Sequence, residues 1–210
     1  FLLAGLIIIQ PDFGMTMLFS ISFFCQLFIT GLSLLLVSIA LVSLVLLSVF
    51  SYYQFDHVKK RIEIFFEPST GTDQIDLSLK AFKSGGLLGK GPGQGILKES
   101  IPDANTDFIF AVAGEELGFV VCCFIVILFL VLIIRSLFSL LKIDKPDIII
   151  AIVGLTSCFG LQTLINIFSS LKLIPTKGMT LPLISYGGSS MISSAILFGF
   201  LLSLTRKNKK

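Results

Sequence analysis

The chain has 210 residues, of which 54% are hydrophobic and 14% charged, whereas ordinary soluble domains carry roughly 25% charged residues. A mean hydropathy of +0.97 leaves too little polar surface to cover a water-soluble globule, so lipid is the expected solvent. The net charge of +3 comes from Lys and Arg that follow apolar runs rather than forming a stripe, which argues against a nucleic-acid partner and reads as membrane topology.

A helix needs about 20 apolar residues to cross a bilayer, and six candidate spans follow in chain order. Residues 1–9 are too short alone and read as the end of a span, closed by Pro11 and Gly14. The chain begins at Phe1 without Met or a basic leader, which reads as a fragment or truncated chain with no signal peptide. The next spans are 14–30 and 32–52, with Gly31 allowing the reversal between them. A long polar segment, 53–116, precedes the span 117–141. The turn from Lys142 to Asp147 follows, with Asp147 as an expected cap of the span 148–171. Pro175, Gly178 and Pro182 then break the chain before the last span, 189–204. Cys25, Cys122, Cys123 and Cys158 all lie in apolar runs without metal or disulfide spacing, and read as soft hydrophobes.

Arg135, Lys142 and Lys145 flank one turn, and Arg206, Lys207, Lys209 and Lys210 follow the last span. With six crossings both groups fall on one side, which the positive-inside rule makes cytoplasmic. The segment 53–116 then faces outward. It carries His57, Lys59, Lys60, Arg61, Lys80, Lys83, Lys90 and Lys98, but loops longer than ~60 residues escape the rule. Charge placed there suits an anionic lipid headgroup or a merely solvated loop. The expected fold is an all-α polytopic membrane protein. Residues 1–210 form one membrane domain, and 53–116 is a large, partly helical extracytoplasmic loop within it.

Four polar islands fall on the outer side: 10–14, 84–95, 101–119 and 174–190. The glycine-rich island is not a P-loop, because Ser84 stands where the first Gly should be and Gly91 follows Lys90 where Ser or Thr is needed. It is left as a flexible loop or as backbone amides facing a phosphate. Asp107 stands among Phe108, Ile109 and Phe110. An apolar setting suits a general base, and the position also suits an N-cap. Glu115 and Glu116 precede a span and read as partners of its N-terminal dipole. Gln162 and Asn166, four apart, share one helix face and are expected to hydrogen-bond between helices. His57 is the single histidine and has no metal-ligand spacing, so no metal site is read.

These islands resemble, in order, the motifs of the SEDS family (shape, elongation, division and sporulation proteins). The resemblance rests on Gln10-Pro11-Asp12-Phe13-Gly14, the stretch from Ser84 to Gly95, Thr106-Asp107-Phe108-Ile109-Phe110-Ala111-Val112 with Glu115-Glu116-Leu117-Gly118, and Pro182 to Ser190. Lys177-Gly178-Met179-Thr180 is closer to the division member than to the elongation member. The resemblance implies a bundle of ten membrane helices, of which this chain would supply about the last six. It implies polymerisation of lipid II into glycan strands in the inner membrane at the division septum. It also implies a class B penicillin-binding protein transpeptidase and other division proteins as partners. The family's proposed catalytic Asp corresponds to Asp107, and Asn105 departs from the His usual at that position.

A polyprenyl diphosphate leaves well, so a protein acid is unnecessary. The chemistry needs a base for the acceptor hydroxyl and positive charge for the departing diphosphate. Asp107 is the expected base. Lys90, Lys98, Arg61 or a divalent cation (Mg or Mn) is expected at the diphosphate. Asn105, Thr106, Lys177 and Ser185 complete the expected substrate contacts. Two other functions fit the sequence: a flippase for lipid-linked precursor, and a non-catalytic division scaffold or remnant of a broken gene. A flippase should carry ionisable residues along its spans, and the spans here have almost none apart from Arg135.

Overall fold

The computed structural model describes residues 13–31, 33–54, 59, 62–63, 74–176 and 178–206. Six α-helices lie within them: α1 (Phe13–Ile29), α2 (Leu34–Gln54), α3 (Gln74–Gly85), α4 (Ile109–Leu140), α5 (Pro146–Ser170) and α6 (Gly188–Thr205). A single 3-10 turn, Leu97–Glu99, sits between α3 and α4. No strand occurs among the described residues. The helices α4, α5 and α6 are long and apolar enough to cross a membrane. The apolar helices α1 and α2 have 17 and 21 residues. The chain is an all-α, multi-pass membrane protein.

Helix ends fall close to the breaks expected from sequence. Gly31 turns the chain between α1 and α2 at φ 89°, a conformation that glycine adopts without steric cost. Pro146 opens α5 as its first residue, where a missing N–H is harmless. Lys145 is the N-cap and makes no side-chain cap, so Asp147 lies inside the first turn rather than capping it. There its charge meets the positive end of the helix dipole.

Helix α5 is central. It packs against α1, α4, α6 and α3. Phe129, Phe159 and Phe198 stack across α4, α5 and α6, with ring centroids 5.5 and 4.9 Å apart. Cys122 joins this core, and the four cysteines are free. The outward faces stay apolar, with Leu46, Phe138 and Leu202 each more than 60% exposed. That is the reverse of a soluble bundle and fits lipid as solvent.

The segment before α4 is partly helical, as expected. Helix α3 docks on the end of α5 through Asp76, which is buried and 2.9 Å from Lys172 Nζ. Ser78 Oγ also donates to the Ser170 carbonyl at 2.6 Å. Under it, Ala81, Ile101, Ala104, Phe108, Ala111 and Val112 form a second small core. That core seats the 101–108 turn at the start of α4.

Candidate active site

Asp107 lies in a turn closed on one carbonyl. Thr106 N and Asp107 N donate to Asp103 O at 3.1 and 3.0 Å, and Thr106 Oγ1 does so at 3.1 Å. The N-cap of α4 is Phe108, with no side-chain cap, so the reading of Asp107 as a cap is corrected. Its position one residue before the cap leaves the carboxylate to serve the loop that faces it. A β-carbon built at Gly178 would stand 3.3 Å from Asp107 Oδ2. Gly178 also needs its φ of 62°.

The carbonyls of three successive residues are held from the opposite side. Tyr186 N donates to Asn105 O at 2.9 Å. Ser185 Oγ donates to Thr106 O at 2.5 Å. Asn166 Nδ2 donates to Asp107 O at 2.8 Å and to Met179 O at 2.6 Å. Ser185 Oγ also accepts from Leu181 N at 2.7 Å, and its residue is 3% exposed. The Ser185 hydroxyl, expected at the substrate, joins two loops here and has its one hydrogen engaged. Gln162 Nε2 donates to Thr180 O at 3.1 Å. Gln162 and Asn166 do share a face, but their partners are loop carbonyls rather than another helix.

Beside this clamp is a cleft of about 630 Å³, lined by Asn105, Ile109, Ser185, Tyr186 and Met191 among others. Leu183, also in the lining, sits at φ 67°, a left-handed conformation that costs a non-glycine residue about 1–2 kcal/mol. Asn105 is exposed and Thr106 half-buried.

The glycine-rich island forms a second cluster. Gly118 interrupts α4 at φ 81°, ψ 178°, leaving orphan carbonyls before the break and orphan amides after it. The island supplies both. Lys90 N and Gly91 N donate to Glu115 O and Glu116 O at 3.0 and 2.9 Å, while Phe119 N and Val120 N donate to Gly86 O and Leu87 O at 3.0 and 3.3 Å. A β-carbon at Gly118 would lie 2.3 Å from Gly89 N. The island is thus a fitted plug, neither a flexible loop nor a phosphate cradle.

Lys90 and Lys98 are engaged by this plug. Lys90 Nζ meets Glu115 Oε1 at 2.9 Å, and Lys98 Nζ meets Glu116 Oε1 at 2.7 Å. The Glu116 hydrogen bond raises the Lys98 ammonium above the usual lysine range. Glu115 is fully buried and also accepts from Ile96 N and Leu97 N at 3.1 and 3.2 Å. Both lysines, expected at a diphosphate, are thus paired with glutamates of α4. Glu115 and Glu116 likewise organise the plug through their side chains, beyond any dipole effect. Arg61, Lys177, His57 and the island residues 10–12 lie outside the described residues. No group of three or more His, Cys, Asp or Glu that could hold a metal ion occurs among the described residues.

Comparison with known proteins places this geometry. A family model for FtsW, RodA and SpoVE, described as "Cell cycle protein", matches residues 1–210. The chain belongs to the FtsW/RodA/SpoVE family. It is 41% identical to a probable peptidoglycan glycosyltransferase FtsW of Caulobacter vibrioides, over 99% of this chain and 53% of that protein. It is 33% identical to the peptidoglycan glycosyltransferase RodA of Mycobacterium leprae, over 96% of this chain and 44% of that protein. Among solved structures it is similar to a chain of a peptidoglycan synthase complex described as coordinating polymerization and crosslinking. The TM-score is 0.77 and the identity 26%, over 97% of this chain and 58% of that one. A mutant of the rod shape determining protein RodA of Thermus thermophilus gives a TM-score of 0.67 at 25% identity, over 99% of this chain and 54% of that one. The chain spans about half the length of the curated FtsW relatives it matches.

The clamp's main-chain partners were missed in the sequence. The available signal was Asn166 itself, a strongly polar side chain on the same face as Gln162 in an otherwise apolar span.

Proposed function

We propose that the chain forms the C-terminal membrane part of a peptidoglycan glycosyltransferase that polymerises lipid II during septal wall synthesis. The observation that carries this reading is Asp107, set in a main-chain clamp beside an open cleft in a member of this family. The polar face bearing the clamp is extracytoplasmic in this reading, and residues 1–210 act as one membrane domain whose outer loop is 53–116.

The acceptor sugar hydroxyl attacks the anomeric carbon of the lipid-linked donor, and the donor's bond to the diphosphate breaks. Asp107 takes the hydroxyl proton, and the polyprenyl diphosphate leaves with the bonding pair. Lys90, Lys98 and Arg61 are the basic residues expected at the departing diphosphate, and Lys90 and Lys98 are also paired with glutamates. Asn105 contacts substrate from the cleft lining, with Thr106 next to it in the chain. A class B penicillin-binding protein transpeptidase and other division proteins are the partners in this reading. The Caulobacter and Mycobacterium relatives are named as peptidoglycan glycosyltransferases, which supports the activity.

The spans favour polymerase over flippase. Between residues 13 and 54 there is no Asp, Glu, Lys or Arg, and Arg135 is exposed on α4. No charged path through the bilayer is visible among the described residues. The discriminating experiment reconstitutes the full-length protein with its transpeptidase in liposomes containing lipid II. Polymer formation and transbilayer movement are then scored in parallel. Polymer without movement is expected; movement without polymer would overturn the reading.

A further inference from the structure

We infer that Asn166 is a positioning residue for the Asp107 base, an assignment that rests on the glycosyl-transfer reading above. Asn166 is 1% exposed on α5. Its amide group has two hydrogens, and each has an acceptor: Asp107 O at 2.8 Å and Met179 O at 2.6 Å. Met179 follows Gly178, the residue whose missing β-carbon makes room for Asp107 Oδ2. One side chain therefore fixes the backbone that carries the carboxylate and the backbone turn that the carboxylate faces.

The chemistry selects an amide. Two carbonyl oxygens need two donors on one atom, which the side-chain NH₂ of Asn provides and a carboxylate does not. The reverse orientation of the amide would aim Oδ1 at both carbonyls, so the donor assignment follows from the acceptors. Oδ1 is buried without a hydrogen-bond partner among the described residues, so the amide is held by its NH₂ half. A packed helix is also a firmer mount than a loop. Ser185 fixes the preceding carbonyl, Thr106 O, from the other side, so the carboxylate is held through its own main chain on two successive peptides.

A positioning role predicts a specific kinetic split. Misplacing a base by a fraction of an ångström slows the chemical step without weakening substrate binding. The test uses the full-length protein reconstituted with its transpeptidase and purified lipid II. Asn166→Asp keeps the shape and replaces the doubly donating NH₂ with an oxygen that repels both carbonyls. Asn166→Ser is neutral and small, and it decides the question if the buried charge of Asn166→Asp prevents folding. Expected is a loss of about 10- to 100-fold in kcat, with KM for lipid II unchanged within about twofold and the melting temperature retained. Parent-level kcat in a folded variant would overturn the assignment. So would a fall of kcat, rise of KM and loss of melting temperature in step, which marks a purely structural residue. Asp107→Asn run alongside separates the two claims. If the parent makes no polymer, the transfer reading itself fails; if Asp107→Asn keeps the parent rate, the base assignment fails and the positioning role with it. If Asp107→Asn is silent while the Asn166 variants are fully active, only the positioning role falls.

Discussion

Asn105 stands where the family resemblance expects His, and its two halves act separately. Its carbonyl accepts from Tyr186 N, while its exposed side chain lines the cleft. Any residue supplies that carbonyl, so orienting the loop does not require His. Asn105→Ala should change unfolding stability by less than about 0.5 kcal/mol. Thermal unfolding in detergent checks this, and a larger drop would give the side chain a structural role. Glu115 is the opposite case. It is a buried carboxylate that accepts from two backbone amides and the Lys90 ammonium. Glu115→Ala leaves all three donors without their acceptor and should cost about 3 kcal/mol. The same melt measures it, and an unchanged melting temperature would show that water replaces the carboxylate at no cost.

The elements divide by how far apart in sequence their determinants lie. The spans could be read directly, because an apolar run and its Gly or Pro boundary are local. Gly31 and Pro146 sit at turns that the sequence places within a residue or two. The glycine-rich plug could not be read that way. Lys90 finds Glu115 across 25 residues and Lys98 finds Glu116 across 18, so neighbouring sequence does not show these partners. The decisive feature is the break at Gly118, whose φ of 81° opens a gap in α4 for the loop. Gly118→Ala would force a β-carbon against Gly89 N, 2.3 Å away, and should expel the plug. Hydrogen exchange at the amides of Lys90, Gly91, Phe119 and Val120 should then rise to loop-like rates. Continued protection in the variant would mean that the backbone relaxes around the methyl group.

For the whole molecule, three of the four polar islands meet through hydrogen bonds: 84–95 with 101–119 at Glu115 and Glu116, and 101–119 with 174–190 directly at Asn105 and Thr106 and through Asn166 at Asp107. Span counting led to the expectation of convergence, and the family resemblance pointed to Asp107. It did not reveal that the candidate base would be gripped by its main chain. A main-chain acceptor carries no residue-type signal, and its donors lie 59 and 79 residues away. In the resulting design the carbonyls of residues 105–107 carry the attachment to the rest of the fold. The most direct test is glycan-strand synthesis from purified lipid II by the full-length protein with its transpeptidase, comparing the parent with Asp107→Asn. The account predicts polymer from the parent and none from an equally folded Asp107→Asn variant. Equal polymer from both would contradict it.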